Sequence, residues 1–222
     1  MSNNPNVVSI RGRLSFPTLT VAEAKIRNTR SSFPKADDKI APEFQVLVTE
    51  LQLDKFVKHI NDVYLPWLEQ QIKNGDQKFK DVKTAKLIAL LKSGDWSDQP
   101  PYIPIKLVNE ATQKLAPEAV ASIKVSGYAG RDIIQKAIVR GPDDEFDPST
   151  VRAKYPAIVP IDDTNFELYA GAEVGVTLDL YAFQAAGMPA LKSSATTLVF
   201  RADADRFGGG VDVDEDALFE DD

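Results

Sequence analysis

The chain is predicted to be mainly β, with a helical insertion, and three observations carry that prediction. Short runs rich in β-branched residues recur along most of its 222 residues, separated by Pro, Gly, Asp and Ser. Two segments with apolar residues at three- and four-residue spacing lie together, at about 52–94. The order is therefore strands, helices, then strands again. Such an order favours a small antiparallel barrel or sandwich over alternating βαβ units.

The first run, VVSIRGRLSF (Val7–Phe16), alternates like a half-buried strand. VAEAKIRNTRSSFPKADDKIAP follows, and its Pro, Ser and Asp content reads as a long loop. EFQVLVTE is the second strand, and Phe16 and Phe44 are expected in the core. Phe56, Ile60, Tyr64, Leu68 and Ile72 recur on one helical face. Asp54 is the expected N-cap, Pro66 should divide the helix, and Asn74-Gly75-Asp76 should end it. A second helix, FKDVKTAKLIALLKSGD, runs to a glycine stop at Gly94. A Pro-broken connection, SDQPPYIPIKLV, leads to strands at ASIKVSGYAG, IIQKAIVRG, AIVPID, ELYAGAEVGVTLDLYAF and ATTLVFRAD, with QAAGMPALKSS read as the loop between the last two.

The net charge of −7 conceals a sharp division. Residues 211–222 hold Asp212, Asp214, Glu215, Asp216, Glu220, Asp221 and Asp222 with no Lys or Arg, and Gly208–Gly210 precede them as a flexible hinge. Residues 1–140 carry 21 bases against 15 acids, and residues 141–210 carry 5 against 11. The expected organisation is a folded unit over 1–207 and an acidic, disordered tail over 208–222.

Few kinds of chemistry fit this composition. There is no cysteine, so thiolate and disulfide chemistry is excluded, and a reducing cytoplasm is the expected setting. No apolar run approaches the ~18 residues of a membrane span, and the start has no signal-peptide pattern. The one histidine, His59, sits among helical apolar residues and is expected to be packed or solvated rather than a ligand or base. FGGG lacks the Lys-Ser/Thr of a phosphate loop. Asp212, Asp214 and Asp216 lack the glycine and distal glutamate of a calcium loop. The acids Asp143, Asp144, Glu145, Asp147, Asp162 and Asp163 read as solvated turns, with a metal-dependent nuclease as the alternative. No enzyme signature and no cofactor motif remains.

What remains is a cationic part with interleaved rings. Single-stranded nucleic acid is held by basic groups along its phosphates and by flat groups stacked on its bases. Arg11, Arg13, Arg27, Arg30, Phe33, Lys35, Trp96, Tyr102, Lys124, Tyr128, Arg131, Lys136 and Arg140 are the candidates for such contacts. The tail, with Phe219 among its carboxylates, resembles a short single strand in charge and in stackable surface. It would compete for the same groove and, once displaced, contact other proteins. An alternative is an interaction module whose tail mimics nucleic acid for some other protein's basic site.

The start RGRLSFPTL, the strand EFQVLV after a charged loop, and the block YPAIVPIDDTNFELYAGAEVGVTLDLYAF resemble phage-encoded single-stranded DNA-binding proteins. RFGGG followed by acid is similar to the junction between barrel and acidic tail in members from short-tailed coliphages. This resemblance runs from about Val7 to the end. It implies an OB-fold, a five-stranded antiparallel barrel here carrying a two-helix insertion. It further implies a non-enzymatic protein that coats single-stranded DNA in phage replication and recombination within the host cytoplasm. Partners would be the DNA, replication or recombination proteins reached through the tail, and further copies of the chain. The long loop after the first strand would wall the groove, which brings Arg27, Arg30 and Lys35 forward.

Overall fold

A computed structural model describes residues 4–76, 79, 89, 103–139, 157–161, 168–185 and 188–207. Its centre is a closed five-stranded barrel. Strand β1 (Val7–Thr18) pairs antiparallel with β2 (Glu43–Val48), and β2 pairs with β4 (Ala121–Ser126). From β4 the ring passes to β8 (Met188–Ser194) through the parallel pair Ser126 and Ser194. It then passes to β7 (Glu173–Ala185) and back to β1. One parallel contact in an otherwise antiparallel five-strand ring is the arrangement of an OB-fold-like barrel.

Closure depends on β1 serving two neighbours. Residues 7–13 pair with β7, whereas Arg13–Thr18 pair with β2 across a bulge between Ser15 and Thr18. Gly12 stands where the strand changes partner, and a Cβ there would run into the Leu47 carbonyl oxygen. Bulges bend a strand and increase its twist, which is what a small barrel requires.

Alternation sets the core. Val8, Ile10 and Leu14 of β1, Phe44, Val46 and Val48 of β2, and Ile123 and Val125 of β4 point inward with Val174, Val176, Leu178 and Leu180 of β7. Helix α2 (Glu50–His59), a π turn at Ile60–Tyr64 and helix α3 (Leu65–Lys73) add Phe56, Ile60, Tyr64, Leu65 and Leu68 to the same cluster. Proline 66 lacks the N–H that would bond back along the helix. The chain widens into the π turn immediately before it, with the Leu65 N–H bonding to the Ile60 carbonyl.

Outside the ring, β9 (Thr197–Ala202) pairs with β7, β5 (Ile134–Val139) runs parallel to β9, and β6 (Ala157–Pro160) closes this side sheet. A short strand, β3 (Ile105–Leu107), pairs with β4 and leads to helix α4 (Glu110–Leu115), capped by the Asn109 side chain on Thr112 N at 2.8 Å. The second predicted helix lies largely outside the described residues, as do the acidic loop near Asp143, Asp162 and Asp163, and the tail.

Four expectations are corrected. The start of the predicted long loop is helix α1 (Val21–Thr29), closed by a capping box in which Thr20 and Glu23 satisfy each other's backbone. Helix α2 begins after Thr49, ahead of Asp54, because the chain turns as soon as β2 ends. MPALKSS is strand β8, and only residues 186–187 separate it from β7. Among the described residues, Leu191 is the one large apolar residue it turns into the core, with the small Ser193 two positions on, so no apolar alternation announces it. Phe44 is in the core, but Phe16 is 68% exposed, sits in the β1 bulge and has a positive φ of 46°. His59 is half-buried, with Nε2 2.9 Å from the Pro5 carbonyl.

Tyr64 ties the insertion to the barrel. Its ring is fully buried, and its hydroxyl oxygen accepts a hydrogen bond from the Ala182 backbone N–H at 2.8 Å. Tyr64→Phe would leave that N–H unpaired in the core. The expected loss of stability is about 1–3 kcal/mol, read from chemical denaturation; no change would show that the bond is dispensable.

Candidate nucleic-acid interface

The outer face of β2, β4 and β8 gathers positive charge around one carboxylate. Alternation turns Glu43 and Gln45 outward on β2 and Lys124 outward on β4, with Gln45 directly opposite Lys124. Glu43 bridges two cations: its Oε1 lies 2.9 Å from Arg27 Nη1, and its Oε2 lies 3.0 Å from Lys124 Nζ. Partial burial alone would raise the Glu43 pKa. The hydrogen bond and charge of Lys124, with Arg27 and Lys35 behind it, outweigh burial and hold the carboxyl below its usual range.

Helix α1 and the loop after it form the wall of this surface. Asn28 and Lys35 exchange two hydrogen bonds of 2.9 Å, Nδ2 to the Lys35 carbonyl and Lys35 N to Oδ1. The pair closes the loop into a tight tip, and Ser31 Oγ accepts from Phe33 N inside it. Phe33 is thereby held out at 88% exposure. Between this tip and β4 lies a cavity of about 240 Å³ lined by Thr18, Arg27, Phe33, Lys35, Glu43 and Lys124.

The same face continues onto β8 and β7. Lys192 is half-buried, and burial first, then the positive charges of Lys35 and Lys124, push its pKa down. Three ammonium groups thus share one patch. Across the β7–β8 ladder Lys192 is paired with Tyr181, whose ring is 46% exposed and stacks on Phe183 at 6.3 Å and 18°. Behind Tyr181 stand Phe79, Trp67 and Tyr64, each ring 5.7–6.2 Å from the next. Phe16 projects from the β1 bulge beside Glu43 and Gln45. A non-glycine residue at positive φ stores strain, and such residues cluster at functional sites.

Of the sequence candidates, Arg27, Phe33, Lys35 and Lys124 are brought together here. Arg30 is exposed at the end of α1, outside the cavity lining. Arg11 and Tyr128 line a separate trough over β1, β7 and β9, and the exposed Arg131 follows Tyr128 in a turn. Lys136 lies on β5 in the side sheet. Arg13 has structural partners: its Nε donates to the Gly171 carbonyl, its Nη2 to the Asp205 carbonyl at 2.6 Å and its Nη1 to Glu118 at 3.3 Å. Its guanidinium also lies 4.9 Å from the Phe207 ring centre. Trp96, Tyr102, Arg140 and the tail acids are outside the described residues. Sequence reading missed Lys192 and Tyr181, because one lay in a supposed loop and the other in a strand with no basic neighbour in sequence. Phe16 was assigned to the core.

No family model matches the chain, and no curated protein matches it. Solved structures do. The chain is similar to the single-stranded DNA-binding protein from bacteriophage Enc34, truncated at its C-terminus, with 12% identity over 91% of this chain and 88% of that one at a TM-score of 0.47. The same phage protein in complex with ssDNA matches at 12% identity over 91% and 90%, TM-score 0.42. The single-stranded DNA-binding protein gp2.5 encoded by bacteriophage T7 matches at 11% identity over 97% and 94%, TM-score 0.46.

Glu43 neutralises part of the patch, so Glu43→Gln should tighten binding of a single-stranded oligonucleotide at low salt by about two- to fivefold, in line with loss of a partly exposed ion pair. The same change is expected in the parent chain as pH falls through the lowered pKa of Glu43. Anisotropy titrations over pH 3–7 would show it, and weaker binding by the variant would contradict the assignment.

Proposed function

We propose that the chain binds single-stranded DNA without reading its sequence, laying the strand across the face that carries Arg27, Lys35, Lys124 and Lys192 and stacking bases on Phe33, Tyr181 and Phe16. The observation that carries this reading is the convergence of four cations from α1, the following loop, β4 and β8 on one surface flanked by exposed rings. Cations alone would suit any polyanion. Exposed rings select for unpaired bases, since a duplex keeps its base faces covered. The resemblance of RGRLSFPTL, EFQVLV and the Tyr155–Phe183 block to phage single-stranded DNA-binding proteins supports the same reading.

In this proposal the protein is a coating factor and not a catalyst, working on phage DNA during replication or recombination in the host cytoplasm. The tail Asp212–Asp222 competes with DNA for the cationic face at the high local concentration a short tether gives. Once displaced, it is free to meet basic pockets on partner proteins. The end of the described chain is fixed near the barrel: Phe207 N donates to the Ala170 carbonyl at 2.8 Å, and its ring packs with Leu47, Ala116 and Ala119. Leu47 and Glu43 are four residues apart on β2, roughly 13 Å, so a tail rooted there reaches the patch easily.

Fluorescence anisotropy with oligo-dT, duplex and RNA across a salt series tests the reading. Single strand should bind tightest, with a steep salt dependence. Lys124→Glu/Lys192→Glu should weaken it by roughly tenfold or more, and Tyr181→Ala by about 1–3 kcal/mol. Preference for duplex, or no effect of these changes, would overturn the proposal. Deleting residues 211–222 should tighten binding at low salt, whereas equal or weaker affinity would remove the tail competition and leave the DNA-binding face standing.

A further inference from the structure

A second surface lies apart from the cationic face. Over the N-terminal half of β1, the start of β7 and the side strand β9 runs a trough of about 700 Å³. Its floor is made by register: Arg11 is paired with Gly175, and Gly175 with Val199 on the other side. Gly175 lies in that floor, and the nearest neighbour of the Cβ it lacks would be the Arg201 side chain at 3.4 Å, an ordinary contact, so a long side chain there would occupy the groove. Lys55, from helix α2, and Tyr128, 41% exposed, line the trough with Arg11, Arg201 and Thr177.

The charge and chemistry of the trough suit a polyanion. Among the described residues, Arg11 and Lys55 line it with one acid, Asp179, and Arg201, which has a partner of its own, completes the cationic side. That acid is engaged, accepting from Asn6 Nδ2 and, at 3.4 Å, from the Tyr128 hydroxyl. Partial burial, then the Asp179 charge and hydrogen bond, push the Tyr128 pKa up, so its ring stays neutral at ordinary pH. Hydroxyls and amides, Ser9, Thr177 and Asn4 among them, suit phosphate and sugar oxygens, and they alternate with apolar lining from Val7, Val176 and Val199.

The trough also begins where the first surface ends. Lys124 of the cationic face and Tyr128 of the trough are four residues apart on one stretch of chain. Ser194, the β8 residue paired with Ser126 between them, lines the trough as well. We propose that this trough is a second binding surface for single-stranded nucleic acid, continuing the track of the same strand past the end of β4 and over β1, β7 and β9. The proposal rests on the reading of the chain as a single-strand binder, and it predicts an occluded length greater than the cationic face alone would cover.

The test uses the full chain with oligo-dT of about 8 and about 30 nucleotides, lengths within and beyond the ~4–16 nucleotides that one OB-fold occupies. The variants are Arg11→Glu/Lys55→Glu and Gly175→Leu, with Lys73→Glu/Lys114→Glu, on α3 and α4, as a control of equal charge change. The trough double variant should weaken 30-mer binding by roughly fivefold or more beyond the control and lower the salt slope by about one to two. The effect on the 8-mer should be smaller. Gly175→Leu, with no change of charge, should weaken the 30-mer in the same direction, and if it does not fold the double variant decides alone. A 30-mer affinity and slope equal to the control's would overturn the second surface while leaving the first intact. If the trough variant loses binding and Lys124→Glu/Lys192→Glu does not, the trough stands and the cationic face falls. If the parent chain binds no oligonucleotide, both fall.

Discussion

Strand β1 pairs with β7 through its first half and with β2 through its second, and the bend between Gly12 and Thr18 lets the sheet curl and close into a barrel. A straight β1 would still have a neighbour on each edge, but the sheet would stay open with two free edges. The bend requires a residue without Cβ against the Leu47 carbonyl and an extra residue at the bulge. It is secured from outside by Arg13, whose guanidinium ties the strand to Gly171 and Asp205, and by the Leu14 N–H bonded to the Ala172 carbonyl at 2.9 Å. Arg13, a candidate phosphate contact on sequence alone, is therefore part of the closure.

Closure in turn decides which charges meet. Arg27, Lys35, Lys124 and Lys192 are spread over more than 160 residues of sequence, and only the order β2, β4, β8 and β7 around the ring brings them to one side. Bringing like charges together has a cost: burial first, and then the charges of Lys35 and Lys124, lower the pKa of Lys192, and Glu43 offsets part of the repulsion. A surface of this kind carries a positive potential that a polyanion would relieve, and this is the physical basis of the salt sensitivity expected of the proposed binding. The rings are placed by a different device. Tyr181 and Phe183 emerge at the end of an aromatic file anchored in the core by Tyr64, while Phe33 is held out by the Asn28–Lys35 pair.

Much of the fold was legible in the sequence. β-branched alternation located β1, β2, β4, β5 and β9, and helical spacing with Pro66 located the insertion and its division. What escaped did so for identifiable reasons. Among its described residues, strand β8 turns a single large apolar one, Leu191, into the core beside Ser193, so its burial leaves little hydrophobic signature, and Ser193 is satisfied by donating to the Lys124 carbonyl. Helix α1 exposes six of its nine residues and buries only Ala24 fully, and its evidence lay in one capping box. The candidate site was half legible: composition pointed to Arg27, Phe33, Lys35 and Lys124, but not to Lys192 and Tyr181, which join them only through the β7–β8 ladder. Nor does alternation warn that Phe16 leaves the core, because the bulge at Ser15 breaks the period of two.

Lysine footprinting tests the central claim most directly, since it reads the location of contact and not its strength. Chemical acetylation of the full chain with and without oligo-dT, mapped by mass spectrometry, compares every lysine in one experiment. Strong protection of Lys35, Lys124 and Lys192, with Lys73 and Lys114 unchanged, is the expected result. Equal reactivity of Lys35, Lys124 and Lys192 in the free and bound protein would contradict the account.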